Sequence, residues 1–496
     1  MTGKAAPAYA GFDLGTSALK AIVVDETQQT LAECEVPMMT RRPRDLWSEQ
    51  DPSDWWAAFE AAVAELRARR PEAWAAVRAI GLSGQMHGAV VLDAADRPLR
   101  PAILWNDGRA TAECRELMQA VPDLGSLAGV EAMPGFLAPK LLWLRRHEPE
   151  VFSRIRRIML PKDYLRLRLT GEFATDMADA AGTLLLNEAE RDWSPRLVDA
   201  AGIDIGQLPR LLEGSAPSGR VTGSLADAWG LGRDVEVAAG GGDAACGAVG
   251  IGAVDEGDAF ISLGTSTQYV VTRRKHQPLA GVGLHAFCHA VPQRWFQMAV
   301  LLNGASCLGW LAAVLGDDPA TLIARAEAAF ARPSELLFLP YLQGERTPHN
   351  DAYAKGVFFG VHGKTTTADL VQAVLEGVAF SVVDAQGALQ AAGAHPQRPS
   401  VIGGGARSAF WLKLLASALG KPLALHRGRE KGPAFGAARL ARLAVTGEPV
   451  PAVCTAPSVE SIVEPDHRLA AAYAERLPRF RSLYAALKPE FARDAG

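Results

Sequence analysis

The apolar positions of the first ninety residues change period twice. Residues 9–14 (YAGFDL) and 20–24 (KAIVV) run or alternate apolar around a GTS turn, LAECEVPM follows at 31–38, and together they predict an antiparallel meander. Residues 54–69 (DWWAAFEAAVAELRAR) take helical spacing with Asp54 near the start, and VRAIGLSG (77–84) then returns as a short buried strand. This β-β-β-α-β order predicts an α/β unit. Segments 102–118, 138–152 and 163–180 read as mostly helical, with a loop at 104–109. At 257–272 the opening pattern comes back, as GDAFISLGTSTQYVVT makes strand, turn and strand. Helices are predicted at 303–314, around 319–331 and 367–391, at 432–446 and at 467–487, with a strand-loop-helix at 400–418.

The two strand-turn-strand segments share the core LGTS, in FDLGTSALKAIVV (12–24) and ISLGTSTQYVVT (261–272). A repeat separated by half the chain predicts two related domains. The 496 residues agree, because one hydrophobic core rarely organises so many. The boundary falls near 246–256, dividing the chain into 1–248 and 249–496.

Composition narrows the ligands. Hydrophobic residues are 49% and charged residues 21%, the formal net charge is -4, and no Lys/Arg stripe carries interleaved aromatics. That leaves no footprint for nucleic acid and favours small soluble ligands. The six cysteines are scattered with no C-x-x-C and no zinc-ligand spacing, as in a protein of the reducing cytoplasm. No N-terminal apolar run has signal-peptide length, and the apolar stretch 237–254 is rich in Gly and carries Asp243 mid-span. A buried loop and helix start, with no membrane partner, is the expectation there.

The stretch VEVAAGGGDAACG (235–247) sets one carboxylate at the end of an apolar strand among residues that have almost no side chains. Asp243 could cap a helix starting at Ala244, or act chemically. The two GTS turns and the GGGA turn at 403–406 could each offer backbone N-H groups to phosphate oxygens. They fit neither common nucleotide motif. The nearest Walker-like sequence, GVHGKT (360–365), has Phe358 where the first Gly belongs, and neither GGGDAACG nor GGGARS satisfies G-x-G-x-x-G. Phosphoryl transfer needs a metal-orienting group and a proton acceptor, and Asp13 and Asp243 could divide those tasks in either order. Two loops, SGQMHG (83–88) and LWNDGR (104–109), offer hydrogen-bonding side chains and an indole for a sugar, or simply a core Met and a solvent-facing His.

Taken together, FDLGTSALK (12–20), LWSEQDPSDWW (46–56), GQMHG (84–88), PAILWNDGR (101–109), MPGFLAPKLLW (133–143), LPKDYLRLRLTGEF (160–173), GGGDAACGAVG (240–250), SLGTST (262–267), FLPYLQGERTPHN (338–350), KGVFFG (355–360), GGGARSAFWLKLLA (403–416) and GPAFGAARLA (432–441) resemble the FGGY family of carbohydrate kinases over nearly the whole chain. QMHG followed by WNDGR is similar to the members that phosphorylate d-xylulose, and differs from the glycerol kinases. The resemblance implies an α/β fold of two actin-like (ribonuclease H-like) domains of the actin/hexokinase/Hsp70 superfamily, closing over ATP, Mg²⁺ and a sugar. It implies Asp243 as the base that takes the proton of the attacking hydroxyl, and Asp13 as the acid that holds Mg²⁺ through water. Thr16, Ser17 and Lys20 match the first phosphate loop, Gly264, Thr265 and Ser266 the second, and Gly404, Gly405 and Ala406 the adenosine loop. Met86, His87, Trp105, Asn106 and Asp107 match the sugar pocket, and homodimers are common in the family. This chain departs from many relatives at Ala244, where they carry Asn or Gln, and at Thr267, where they carry Gly. Other acceptors, d-ribulose, l-xylulose or a polyol, share the fold. A non-catalytic sugar sensor would more often have lost one of the two acids, and this chain keeps both Asp13 and Asp243.

Overall fold

The computed structural model describes residues 6–427 and 432–493. In the first half, β1 (Ala8–Leu14), β2 (Ala18–Asp25) and β3 (Thr30–Pro37) form the antiparallel meander, α1 (Pro52–Arg69) crosses over, and β4 (Val77–Gly84) returns parallel to β1. Later come β5 (Pro217–Arg220), β6 (Glu236–Ala238) and β7 (Gly241–Gly242), giving the order β5-β6-β4-β1-β2-β3 with β7 also on β4. The second half contributes β8 (Ala259–Leu263), β9 (Thr267–Arg273), β10 (Leu284–Cys288), β11 (Trp295–Leu301), β12 (Ser400–Ile402), β13 (Leu423–His426) and β14 (Val459–Val463). Their order is β10-β11-β9-β8-β12-β13-β14.

The sheets are the same arrangement used twice. In each, the LGTS-bearing hairpin is antiparallel (β1-β2, β8-β9), and two parallel strands follow on the far side of its first strand. Both LGTS turns therefore lie at the carboxyl ends of central strands, where open α/β sheets bind ligands. Helices cover the sheets: α2 (Leu137–His147), α3 (Pro161–Thr170), the one-turn α4 (Met177–Ala180) and α5 (Asp243–Gly250), then α6 (Ala305–Leu315), α7 (Thr367–Ala391), α8 (Ala409–Leu419), α9 (Pro433–Thr446) and α10 (His467–Arg493).

One helix crosses the sequence division. Helix α9 packs on β1 and β4 of the first sheet, and beside α5. Its approach is close because the facing positions are glycines. A Cβ on Gly11 would stand 1.9 Å from the Ala434 carbonyl oxygen, and one on Gly81 would stand 1.9 Å from that of Ala437. A glycine inside a strand costs backbone entropy, and here it is what lets helix backbone lie against strand backbone.

Differences from the predicted elements have local causes. The helix expected at 163–180 breaks at Gly171, which takes a left-handed φ of 78° as the C-cap of α3, and α4 starts afresh with the Asp176 side chain accepting from the Asp179 N-H over 3.0 Å. The stretch 237–254 folds into strand ends and the largely buried helix α5. Among the described residues no single helix is long and apolar enough to cross a membrane. All six cysteines are buried and free.

Candidate functional site

A cleft of about 680 Å³ opens at the carboxyl ends of the central strands, lined by Lys20, Asp243, Ser262, Gln268, Gly404 and Arg407 among others. It brings together residues from the first hairpin, the start of α5, the second hairpin and the GGGA turn. A larger depression of about 750 Å³, around Tyr9, Arg78 and Glu236, lies at the opposite, amino ends of the first-sheet strands and contains none of the predicted residues.

Asp243 is the first residue of α5, and its side chain opens into the cleft. The cap position belongs to Gly242, and the carboxylate accepts from the adjacent Ala244 N-H, at 2.7 Å. Protein crowding around the carboxylate raises its pKa to about 7, with repulsion from Asp13 adding to the rise. Asp13 is buried at the end of β1 and accepts from Ser83 Oγ at 2.9 Å. Desolvation raises it to about 6, against the pull of Ser83 and of Lys20. The two acids repel each other, so they titrate as a coupled pair.

The phosphate-loop candidates divide. Ser17 and Lys20 are exposed, while the Thr16 hydroxyl is engaged, donating to Gln85 Oε1 at 3.1 Å and accepting from Trp105 Nε1 at 2.9 Å. In the second turn Thr265 and Ser266 are exposed, and the Gly264 carbonyl accepts the Ala305 N-H at 2.8 Å, so α6 starts at the turn. The buried Thr267 side chain is accommodated by Gly304, where a Cβ would lie 2.5 Å from Thr267 Oγ1. The departure at 267 is therefore absorbed by a glycine. Gly405 and Ala406 are buried and Gly404 is exposed; the GGGA turn sits on the end of β8, with a Cβ on Gly405 falling 2.5 Å from the Leu263 side chain.

In the QMHG loop, Met86 is buried against Gly242, where a Cβ would lie 2.7 Å from Met86 Sδ. This puts the Met86 side chain beside the backbone that carries Asp243. His87 adopts a left-handed φ of 70°. Such strain persists only where surroundings over-determine it. Its Nδ1 lies 2.9 Å from the Gly182 carbonyl oxygen, its ring centroid is 4.1 Å from that of Phe136, and burial lowers its pKa to about 3. It is neutral, so Nδ1 donates to Gly182 and Nε2 remains an acceptor. Trp105 is 47% exposed, and Asn106 is exposed beside it. Asp107 stands apart: its carboxylate is buried and accepts from Arg109 Nε (2.8 Å), an Arg109 terminal nitrogen (2.6 Å) and the Ser48 N-H (2.6 Å). It shapes the WNDGR loop, while Trp105 and Asn106 are left exposed.

Several residues of the site have no local sequence signal. Gln50 bridges layers, donating to the Thr16 carbonyl (2.7 Å) while its Oε1 accepts from Gln85 Nε2 (3.0 Å) and Trp55 Nε1 (2.8 Å). Beneath α4 and β7 lies a fully buried ionic cluster. Lys162 Nζ is 2.6 Å from Asp163, 2.6 Å from Asp176 and 3.1 Å from Asp179, and Arg166 pairs with Asp163 and donates to the Ala239 carbonyl just before the glycines. The three carboxylates have metal-ligand spacing, but the Lys162 ammonium occupies the place of an ion. Burial raises both Asp176 and Asp179, Asp179 well above its ordinary value, against the pull of the Lys162 ammonium.

Residues 8–250 match the N-terminal domain, and residues 259–445 the C-terminal domain, of the FGGY family of carbohydrate kinases. The chain is 47% identical to the xylulose kinase of Escherichia coli over 98% of its length and 100% of that protein, and 44% identical to that of Klebsiella pneumoniae, covering 97% and 99%. A solved structure from Brucella ovis, described as a xyloylose kinase, superposes with a TM-score of 0.95 at 46% identity, over 97% of this chain and 99% of that one. The chain belongs to the FGGY family of carbohydrate kinases.

Proposed function

We propose that this protein transfers the γ-phosphoryl group of ATP to the 5-hydroxyl of d-xylulose, giving d-xylulose 5-phosphate and ADP. The observation that carries the reading is the cleft that Asp243 shares with Lys20 and the GGGA turn, and the xylulose kinases at 44–47% identity favour the ketopentose. The two halves, 1–248 and 249–496, act as lobes around this cleft, with α9 returning to the first.

Asp243 accepts the hydroxyl proton as the sugar oxygen attacks the γ-phosphorus, the bond from phosphorus to the bridging oxygen breaks, and ADP leaves with that electron pair. Its pKa of about 7 suits a base that works near neutrality. Lys20 and the exposed N-H groups and hydroxyls of Ser17, Thr265 and Ser266 face the phosphates, and Gly404, with no side chain, lets the adenosine approach. Asp13 suits a Mg²⁺-bound water: Ser83 engages one carboxylate oxygen and the other has no hydrogen bond among the described residues. Bound there, Mg²⁺ supplies neutralisation of phosphate charge. Met86, His87, Trp105 and Asn106 hold the sugar.

The test is ADP release from ATP with d-xylulose, d-ribulose, l-xylulose, glycerol and pentitols as acceptors. The highest kcat/KM is expected with d-xylulose, and a preference for glycerol would overturn the reading.

A further inference from the structure

The second half sends two unpartnered polar side chains toward His87. Arg346 lies in GERTPHN (344–350), a loop held firmly to the sheet edge. Thr347 N donates to the Val300 carbonyl at 2.9 Å, and Thr347 Oγ1 donates to that of Gly283 at 2.9 Å. The neighbouring Glu345 is buried and accepts from Leu302 N (2.7 Å), Arg346 N (2.8 Å) and Asn303 Nδ2 (3.3 Å), so backbone and amide groups satisfy it. Among the described residues the Arg346 guanidinium has no ion pair and no hydrogen bond.

His285 on β10 is 1% exposed, and neither of its ring nitrogens has a partner. Phe136 joins it to the sugar loop, its ring centroid lying 5.9 Å from that of His285 and 4.1 Å from that of His87. The Arg346 charge bears on both histidines and helps hold them neutral. Leaving a buried polar group such as the His285 imidazole unpaired costs about 1–3 kcal/mol, whereas the Arg346 guanidinium is only partly buried and keeps its donors open. His285, fully buried with both ring nitrogens unpaired, and beside it a partly exposed guanidinium that no protein group engages among the described residues, leave hydrogen-bonding groups available to a ligand.

The geometry points to Arg346 and His285 as substrate-binding residues that hold the carbonyl end of the ketose, the end remote from Asp243. This rests on the function proposed above. Met86 lies against Gly242, next to Asp243, and His87 follows it toward Phe136, so a sugar with its reacting hydroxyl at Asp243 runs past Met86 and His87 to Arg346. A guanidinium only donates and a carbonyl oxygen only accepts, which matches this end to a ketose better than to a polyol.

The test compares wild type, Arg346→Met and Arg346→Lys by kcat/KM on d-xylulose and on its pentitols, with the KM for ATP measured in parallel. Arg346→Met is expected to lose roughly 10- to 100-fold on the ketose, mostly through KM. The KM for ATP should stay unchanged, the ketose preference should narrow, and Arg346→Lys should recover part of it. If Arg346→Met folds poorly by circular dichroism, Arg346→Lys and His285→Gln carry the same comparison. Unchanged ketose kinetics, or an equal loss on ketose, polyol and ATP, would overturn the assignment while leaving the proposed function standing. A wild type that phosphorylates no ketopentose would instead overturn the function, and this assignment with it.

Discussion

Trp105 Nε1 donates to Thr16 Oγ1 over 2.9 Å, tying the indole of the WNDGR loop to the turn of the first hairpin. The same hydroxyl donates to Gln85, one residue before Met86. The WNDGR loop, the first GTS turn and the QMHG segment thus share one oxygen.

Thr16→Val keeps the shape and removes that oxygen, leaving the Trp105 N-H and Gln85 Oε1 without their partner. A net loss near 1–1.5 kcal/mol corresponds to about a tenfold fall in kcat/KM for the sugar. Thr16→Ser should restore most of it. Steady-state kinetics on the two variants would show the split, and a Val variant equal to wild type would remove the coupling role.

Asp243→Asn should lower turnover by ~10²- to 10⁴-fold while nucleotide binding, read by calorimetry, persists. In the wild type, kcat/KM should fall on the acid side as Asp243 protonates near pH 7.

The same shift makes a stability prediction of definite sign. The folded pKa of Asp243 lies above its unfolded value, so the folded state holds the proton more tightly, and stability falls as pH rises from about 4 to about 7. The fall is small, because the side chain is exposed in the cleft and solvent screens it. Asp243→Asn should therefore melt above wild type at pH 8, an advantage that vanishes below pH 4. Thermal melts at the two pH values decide it, and a variant less stable at pH 8 would contradict the strained-acid picture.

Lys162→Met leaves three buried carboxylates around an apolar side chain. Breaking a buried ion network by removing one partner costs about 3–5 kcal/mol. Denaturant unfolding should show a loss of that size, and the double variant with Asp176→Asn should recover part of it.

Gly182→Ala would bring a Cβ within 2.6 Å of His87 Nδ1, so the ring must give up its hydrogen bond to the Gly182 carbonyl. The KM for the sugar should rise with the KM for ATP unchanged. A variant with both constants at wild-type values would show that the His87 position does not matter for the sugar.

The period of the apolar residues and the LGTS repeat were enough to determine two α/β halves, because strand alternation, helical spacing and Gly-rich turns are local properties written in consecutive residues. The strand followed by glycines singled out Asp243 as an acid but left cap and chemical role open. The tertiary structure alone decided which polar side chains are free to act. Asp107 looked equivalent to Asn106, yet its carboxylate is consumed by Arg109 and the Ser48 N-H. Thr16 sits in the first GTS turn, and its hydroxyl also serves Trp105 and Gln85. Arg346 and His285 approach His87 from more than 190 residues away along the chain, and α9 settles on glycines of the first sheet rather than in its own half. Hydrogen-bond demand and close backbone approach are satisfied in space, between segments whose local sequences carry no mark of one another.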